Sequence, residues 1–425
     1  MKRSFILLAL CGVLRAEGAP PSPPSGGSEV APASAPAVAG TLTVTAAPQA
    51  ELLAPAQPQH EFTLPIICYH RFGDEDGVDP LKISAQRLGE ELRWLKKAGY
   101  QSIDLQQARQ FIDGDANSLP AKPIILTVDD GYRSGWSVGG RLFRKYGFKA
   151  VYFIITEQVG LTKNFLNWED LKDILSKGFE VQSHTEDHTN LGKPLSFKIP
   201  LEGEGQLEPF NVRHLNKFEK PLDYHTRLRA ELEGSRKKLE EKLGITVKTL
   251  AYPFGAFNPV VGSYAVDAGY DLAMSVSGGV NVPGDDPMRV RRIILVGHPS
   301  LASFKKKVLE QRLDADLDGL EEGIGFFPEE LPHTITIRLP EGRPVGEVPR
   351  AEIQGHWVSL TKAKGEDAWT TVLQKKMKPG FYFFKVESGD DNNFARDSYL
   401  FQIYRPGMHA YMQALTSAAQ SEDAP

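Results

Sequence analysis

Cysteine is almost absent. Two of 425 residues are cysteine, Cys11 and Cys68. If Cys11 falls within a removed leader, Cys68 stands alone and no internal disulfide can form, even in an oxidising compartment. An excess of basic charge is absent too. Forty-nine Lys and Arg against 54 Asp and Glu leave a net charge of −5. That gives none of the basic footprint of a nucleic-acid binder, so nucleic acid is not an expected partner. The apolar run from Phe5 to Leu14 is far short of the ~20 residues a membrane span needs. With Lys2 and Arg3 ahead of it and Ala16-Glu-Gly18 behind, it reads as an export signal over residues 1–19, which places the protein in the periplasm, the cell envelope or the medium. A lipid on Cys11 is disfavoured by the bulk of Leu10 before it.

Residues 20–59 are dominated by Pro, Ala, Ser and Gly, and such a segment buries too little apolar surface to offset its ordering entropy. It is expected to be a disordered linker. The remaining length has room for two domains. From 60 to 310, strand-like apolar runs alternate with helix-like stretches, which implies βα units around a mainly parallel sheet. The strand-like runs begin with Pro65-Ile-Ile-Cys-Tyr-His70 and continue through Ile124–Val128, Ala150–Thr156, Phe179–Val181, Thr249–Tyr252, Leu272–Ser277 and Arg291–Val296, with Gln101–Leu105 the doubtful member. Ser84 reads as the cap of a helix whose buried stripe is Leu88, Leu92 and Leu95 and whose stop is Gly99. A second helix is expected over 226–243, with Leu228, Leu232, Leu239 and Leu243 inward and Gly244 ending it. Cys68 reads as a packed core residue.

Polar residues collect where these strands end. Asp129 and Asp130 follow Ile124–Val128, and Gly131 marks the turn. Within a strand, neighbours face opposite ways; at a turning strand end, two carboxylates can converge, at a cost unless a cation or hydrogen bonds compensate. His184 and His188 are spaced so that a helical turn would put both imidazoles on one face. His70 and Tyr252-Pro-Phe-Gly255 follow two further strands. In a β/α barrel, the carboxyl ends of the strands form the catalytic rim. One carboxylate and two imidazoles on a divalent metal leave a position open for water and substrate, and a second carboxylate off the metal can take a proton.

Thr127-Val-Asp-Asp-Gly-Tyr132, Ser183-His-Thr-Glu-Asp-His188 and Ala251-Tyr-Pro-Phe-Gly255 occur in the order of the polysaccharide deacetylase motifs. Over residues 62 to 300 the chain resembles that family (carbohydrate esterase family 4, the NodB-homology domain). The resemblance implies a distorted (β/α)7-type barrel. It implies that Asp129 is the general base, that Asp130, His184 and His188 hold the metal, and that Tyr252, Pro253, Phe254 and Gly255 border the substrate and supply an oxyanion donor. The metal would be Zn²⁺, with Co²⁺ or Ni²⁺ acceptable at such a site. The general acid has two candidates. Much of the family uses a late Leu-x-His, which Leu295-Val-Gly-His298 departs from. Tyr69-His70 is similar to the early pair of the poly-N-acetylglucosamine deacetylase-like subgroup, and His70 is the reading adopted. Many relatives place an arginine ahead of the proline where this chain has Ala251-Tyr252. Arg292 is therefore the candidate to orient Asp129, against the alternative of a surface salt bridge.

The expected reaction is removal of N-acetyl groups from an extracytoplasmic amino-sugar polysaccharide or oligosaccharide, by a monomer that could associate with the cell envelope. The alternatives are O-acetyl esterase activity on the same scaffold, or an inactive glycan-binding envelope protein. Residues 192–225 are expected to be irregular, either a groove wall or a surface insertion. Residues 311–326 read as an acidic linker. Within it, Asp314-Ala-Asp-Leu-Asp-Gly319 begins like a calcium loop, but Gly325 stands where the distal Glu belongs. Beyond it, 327–405 alternates as a small all-β sandwich, with Trp357, Trp369 and Tyr382 assigned to its core, and 406–425 forms a tail. On this reading, a chain cut to 60–325 should still hydrolyse short substrates.

Overall fold

The computed structural model describes residues 63–75, 78–115, 119–193, 196–200, 214–320, 325–326, 330–340, 349–364, 368–389 and 394–404. The expected leader, the 20–59 linker, Cys11 and the 406–425 tail lie outside them.

Seven parallel strands build the first domain: Ile66–Tyr69 (β1), Pro123–Val128 (β2), Val151–Ile154 (β3), Glu180–Ser183 (β4), Thr249–Ala251 (β5), Leu272–Met274 (β6) and Ile293–Ile294 (β7). Their order across the sheet is β6-β5-β4-β3-β2-β1-β7. Gln101–Ser102, the doubtful strand of the sequence, pairs with the start of β2. β1, β2 and β3 are buried throughout, because one face meets the barrel interior and the other the surrounding helices. The chain from 290 to 294 seals the barrel. Val290 N–H donates to Ala273 O and Ser275 N–H to Val290 O, both at 2.9 Å, while Ile293 and Ile294 pair with β1. The architecture is thus a distorted β/α barrel carrying all the motif residues at one end.

The helix Ala85–Lys97 forms as its signals dictate. Ser84 Oγ accepts the Arg87 N–H at 3.3 Å, Leu88, Leu92 and Leu95 are fully buried, and Gly99 (φ 86°) follows in the left-handed region. The second expected helix runs on continuously to Leu243 and Gly244 ends it, but its hydrogen-bond pattern changes midway. Pro221–Arg229 and Ser235–Leu243 flank a π-helical turn, Ala230–Gly234. Such a turn inserts a residue and rotates the faces; here Glu231 is buried, at 5% exposure.

The 192–225 segment is not irregular throughout, since Ser196–Pro200 and His214–Phe218 pair antiparallel. Phe210 and Arg213 lie outside the described residues. Tyr224 is fully buried, with its hydroxyl donating to Leu191 O at 2.6 Å, so it packs the fold instead of walling a groove.

The second domain is all-β. Asp316–Asp318 (β8) and His333–Arg338 (β9) share a four-stranded sheet with Ala368–Leu373 and Thr361–Lys362. Phe394–Ile403 (β10) shares a five-stranded one with Gly380–Gly389, Arg350–Ile353, His356–Val358 and Gly325–Phe326. Leu313, Ile335, Ile337, Phe384, Val386, Phe401 and Ile403 fill the space between. The expected 311–326 linker is corrected where it is described: Asp316–Asp318 and Gly325–Phe326 are strands of the second domain and Leu313 is core. The expected core assignment holds for Trp369, at 6% exposure, and Tyr382 stacks on Phe401 at 5.4 Å. It fails for Trp357, which is 57% exposed on an outer strand with Arg350 against its ring.

Candidate active site

The site is assembled by strand ends. Asp129 and Asp130 leave β2 as it turns, and the turn forces Asp130 to φ 71°. Thr185 and His188 (both φ 65°) and Phe254 (φ 58°) are likewise left-handed. Non-glycine residues rarely adopt this region, and such strain concentrates where the surroundings over-determine the backbone. His184 and His188 therefore do not share a helical turn, as their spacing suggested. The segment after β4 is a loop of bends, and its two positive-φ residues bring the imidazoles to 4.7 Å, edge to face.

Asp130 Oδ1 lies 3.4 Å from His184 Nε2 and 3.6 Å from His188 Nε2. Ligand atoms bound to zinc at about 2.1 Å stand roughly 3–3.5 Å apart, so the three converge at a separation that a small divalent ion fits. His184 Nδ1–H donates to Ala251 O at 2.8 Å, which fixes the tautomer with Nε2 free to ligate. Burial lowers His188 to about 4, so its ring is neutral near pH 7. For His184, burial pulls down but Asp130 and Asp129 win, and its pKa rises. Burial also opposes ionisation of Asp130, yet the surrounding imidazoles hold it below the usual carboxylate range.

Asp129 Oδ2 lies 3.9 Å from His184 Nε2, farther than Asp130, and its carboxylate is turned onto another partner. Asp129 is 1% exposed, and both its oxygens lie 2.8 Å from Arg292 Nη1. Arg292 is itself 1% exposed and is further fixed by Nε donating to Ser275 O at 3.0 Å. It is a buried partner of Asp129, and the surface salt-bridge alternative is set aside. Burial raises the Asp129 pKa, but Arg292 and His184 outweigh it, so the carboxyl stays ionised at neutral pH. Cys68 contributes a contact the sequence did not signal: its buried thiol donates to Asp129 Oδ2 at 3.4 Å. Burial pushes that thiol up, which makes it a donor and not a nucleophile.

His70 closes the other side. Donor atoms of Cys68, His70 and Asp129 lie within 4.8 Å of one another, and His70 Nδ1 is buried with no hydrogen-bond partner among the described residues. Burial lowers its pKa, while Asp130 and Asp129 pull towards the charged form. Among the described residues, His298 belongs to neither cluster of candidate ligands.

The Tyr252–Gly255 turn divides its roles. Tyr252 is fully buried against Phe257, its hydroxyl donates to Met288 O at 3.2 Å, and its N–H donates to Met274 O at 3.0 Å. Neither its ring nor its N–H faces a substrate, contrary to expectation. Pro253 has no N–H, and the Gly255 N–H is used by Tyr252 O at 2.8 Å. Phe254 is left as the one possible backbone donor of the four, and its ring lies 4.6 Å from His188. Gly255 (φ 64°) admits no side chain, because a Cβ would stand 2.2 Å from Val276 Cγ2.

Glu231 was missed altogether, since nothing in its helical context marks it. Its carboxylate accepts the Glu186 and Asp187 N–H groups at 2.9 and 3.1 Å and the Thr189 hydroxyl at 3.0 Å. Burial, with the nearby Asp187 carboxyl, raises its pKa. It thus fastens the loop on both sides of His188 without touching a ligand. Glu231→Ala should weaken Zn²⁺ binding by about 10–100-fold, the usual effect of losing an outer-shell partner, with Glu231→Gln between the two. Competition against a chromophoric chelator measures this; wild-type affinity in Glu231→Ala would remove Glu231 from the site.

Fold and site together define a β/α-barrel protein in which a carboxylate and two imidazoles converge closely enough to hold a metal ion, beside a separately paired carboxylate. Residues 116–273 match the sequence model of the polysaccharide deacetylase family, and the chain carries a domain of that family. It is similar to the poly-beta-1,6-N-acetyl-D-glucosamine N-deacetylase of Escherichia coli (strain K12), at 22% identity over 281 residues covering 61% of this chain and 40% of that protein. The Staphylococcus aureus (strain MRSA252) protein of the same name is 24% identical over 211 residues, covering 47% of this chain and 64% of its own length. The chain therefore spans less than two thirds of either relative. A solved de-N-acetylase structure from Aggregatibacter actinomycetemcomitans superposes on 58% of this chain and 99% of its own, with TM-score 0.48 and 22% identity.

Proposed function

We propose that this protein is a metal-dependent hydrolase that removes N-acetyl groups from an amino-sugar polysaccharide outside the cytoplasm. The observation that carries the reading is the division of labour between the two adjacent carboxylates. Asp130 faces two imidazoles at 3.4 and 3.6 Å, while Asp129 is turned onto Arg292 at 2.8 Å. A metal bound by Asp130, His184 and His188 would supply Lewis-acid polarisation of the acyl group and acidify water, with Zn²⁺ the expected ion. Asp129, ionised and paired with Arg292, would accept a proton from that water. His70, beside Asp129 and with its pKa lowered by burial against the pull of Asp130 and Asp129, is our candidate to return a proton to the leaving amine. The Phe254 N–H is the candidate donor to the developing oxyanion. An extracytoplasmic location rests on the export signal read at residues 1–19, and the named activity of the relatives supports poly-N-acetylglucosamine as the first substrate to try.

The test is mass spectrometry of products from a small panel: oligomers of β-1,6- and β-1,4-linked N-acetylglucosamine, peptidoglycan fragments and an O-acetylated glycan. Loss of acetyl groups from an N-acetyl oligomer and not from the O-acetyl ester is the expected result. Release from the ester alone would make the protein an O-acetyl esterase, and no release from any member would favour the glycan-binding alternative.

A further inference from the structure

Arg291 and Arg292 are neighbours on an extended segment, so their side chains leave on opposite faces. Arg292 turns into the barrel and holds Asp129. Arg291 turns the other way, into the sandwich, where its guanidinium donates to Ser398 O of β10 and lies 5.5 Å from the Tyr399 ring. The Arg291 backbone is fixed from both sides by Asn281, whose Oδ1 accepts its N–H at 2.8 Å and whose Nδ2 donates to its carbonyl at 3.0 Å.

The two preceding residues of β10 grip the same part of the barrel. Asp397 accepts from Arg312 Nε at 2.8 Å, and Arg312 Nη1 reaches both oxygens of Asp285, in the loop leading to Arg291, at 2.9 and 2.8 Å. Arg396 pairs with Glu310. Glu310, Arg291, Arg312 and Asp397 are all buried, at 3, 7, 8 and 1% exposure. Removing one side of such pairs leaves a charge that neither water nor a partner compensates. A β domain that merely followed the barrel on a tether would not need buried charge on both sides of the seam.

We propose that β10 braces the segment that carries Arg292, with Arg291 as the positioning residue, so that the sandwich supports the general base instead of acting as a separable accessory. The proposal rests on Asp129 being the base of the hydrolase proposed above, and it has a readout that needs no activity. A chain cut to 60–325 would remove β10, so the hydrolysis of short substrates expected of it from the sequence is not expected from the structure.

The test uses the full chain. In Arg291→Met, the buried Arg292 Nε–H, assigned by through-bond NMR correlation, should exchange with solvent at least about tenfold faster than in the wild type. Trp357→Ala, on an exposed strand of the sandwich, should leave it unchanged. On an acetylated oligosaccharide, Arg291→Met should lower kcat by about tenfold or more, with KM and metal content held, because small displacements of a catalytic group are expensive. Arg291→Lys, which keeps a donor for the Ser398 carbonyl, should restore most of the rate. Unchanged exchange in Arg291→Met overturns the brace whether or not the chain hydrolyses glycan. Faster exchange in a chain that hydrolyses nothing keeps the brace and removes the hydrolase reading. If Arg291→Met does not fold, Tyr399→Leu takes its place in the exchange measurement, since it removes the ring against Arg291 and leaves every charge.

Discussion

Replacing Asp130, His184 or His188 by alanine should abolish deacetylation and strip the metal together, while Asp129→Asn should abolish deacetylation and keep it. The physical ground is local charge. Asp129 and Asp130 are both buried, and Arg292, a permanent cation, pairs directly with Asp129 and acts on Asp130 less strongly. Asp130 is left facing imidazoles, one of which is held neutral by burial. Burial opposes the Asp130 carboxylate and the imidazoles stabilise it, and a divalent ion would add the full counter-charge that neutral imidazoles lack. Asp130→Ala removes that attraction as well as a ligand, so its loss of affinity should exceed that of His188→Ala, whose imidazole is the more exposed of the two. Metal content by inductively coupled plasma mass spectrometry, read beside product formation, separates the two classes. Full activity of chelator-stripped wild-type protein would sink the metal assignment.

What the sequence revealed of this site was what is written locally. An apolar run closing on a polar pair places Asp129 and Asp130 at a strand end without any knowledge of the fold. Ser84, Gly99 and the Leu88–Leu92–Leu95 stripe fix a helix within fifteen positions of one another. Side-chain direction is the first thing that was lost. The spacing of His184 and His188 suits a helical turn, but the chain reaches the same convergence through left-handed residues, which no periodicity announces. Tyr252 sits in a motif that borders the site, yet packing against Phe257 turns its ring away. Long-range pairings were the second. Arg292 could be proposed because an arginine was missing from Ala251-Tyr252 and one was sought elsewhere. Cys68 on Asp129 and Glu231 on the His188 loop had no such prompt, because both arise from elements that meet only in the folded barrel. The π-helical turn that buries Glu231 is invisible in a leucine pattern continuing across it. Aromatic content misled at Trp357 for a related reason: strand alternation shows that a residue faces one side, not which side is covered.

His70→Ala should lower amide hydrolysis by a factor on the order of 10²–10⁴, the usual worth of a positioned proton donor, with the metal still bound. An amine leaves from a tetrahedral adduct only as the protonated species, so the amide needs the acid fully. An activated aryl acetate expels a stable phenolate and needs it hardly at all, so the same variant should lose far less on that ester. The split between substrates is what distinguishes proton donation from a steric or electrostatic role in the cluster with Cys68 and Asp129. His298→Ala should change neither rate appreciably, because that residue belongs to neither cluster of candidate ligands among the described residues. A chain in which His298 is essential and His70 dispensable would align with the late Leu-x-His members of the family. Equal losses on both substrates for His70→Ala would mean that the imidazole shapes the pocket around Asp129 and that the amine takes its proton from another donor.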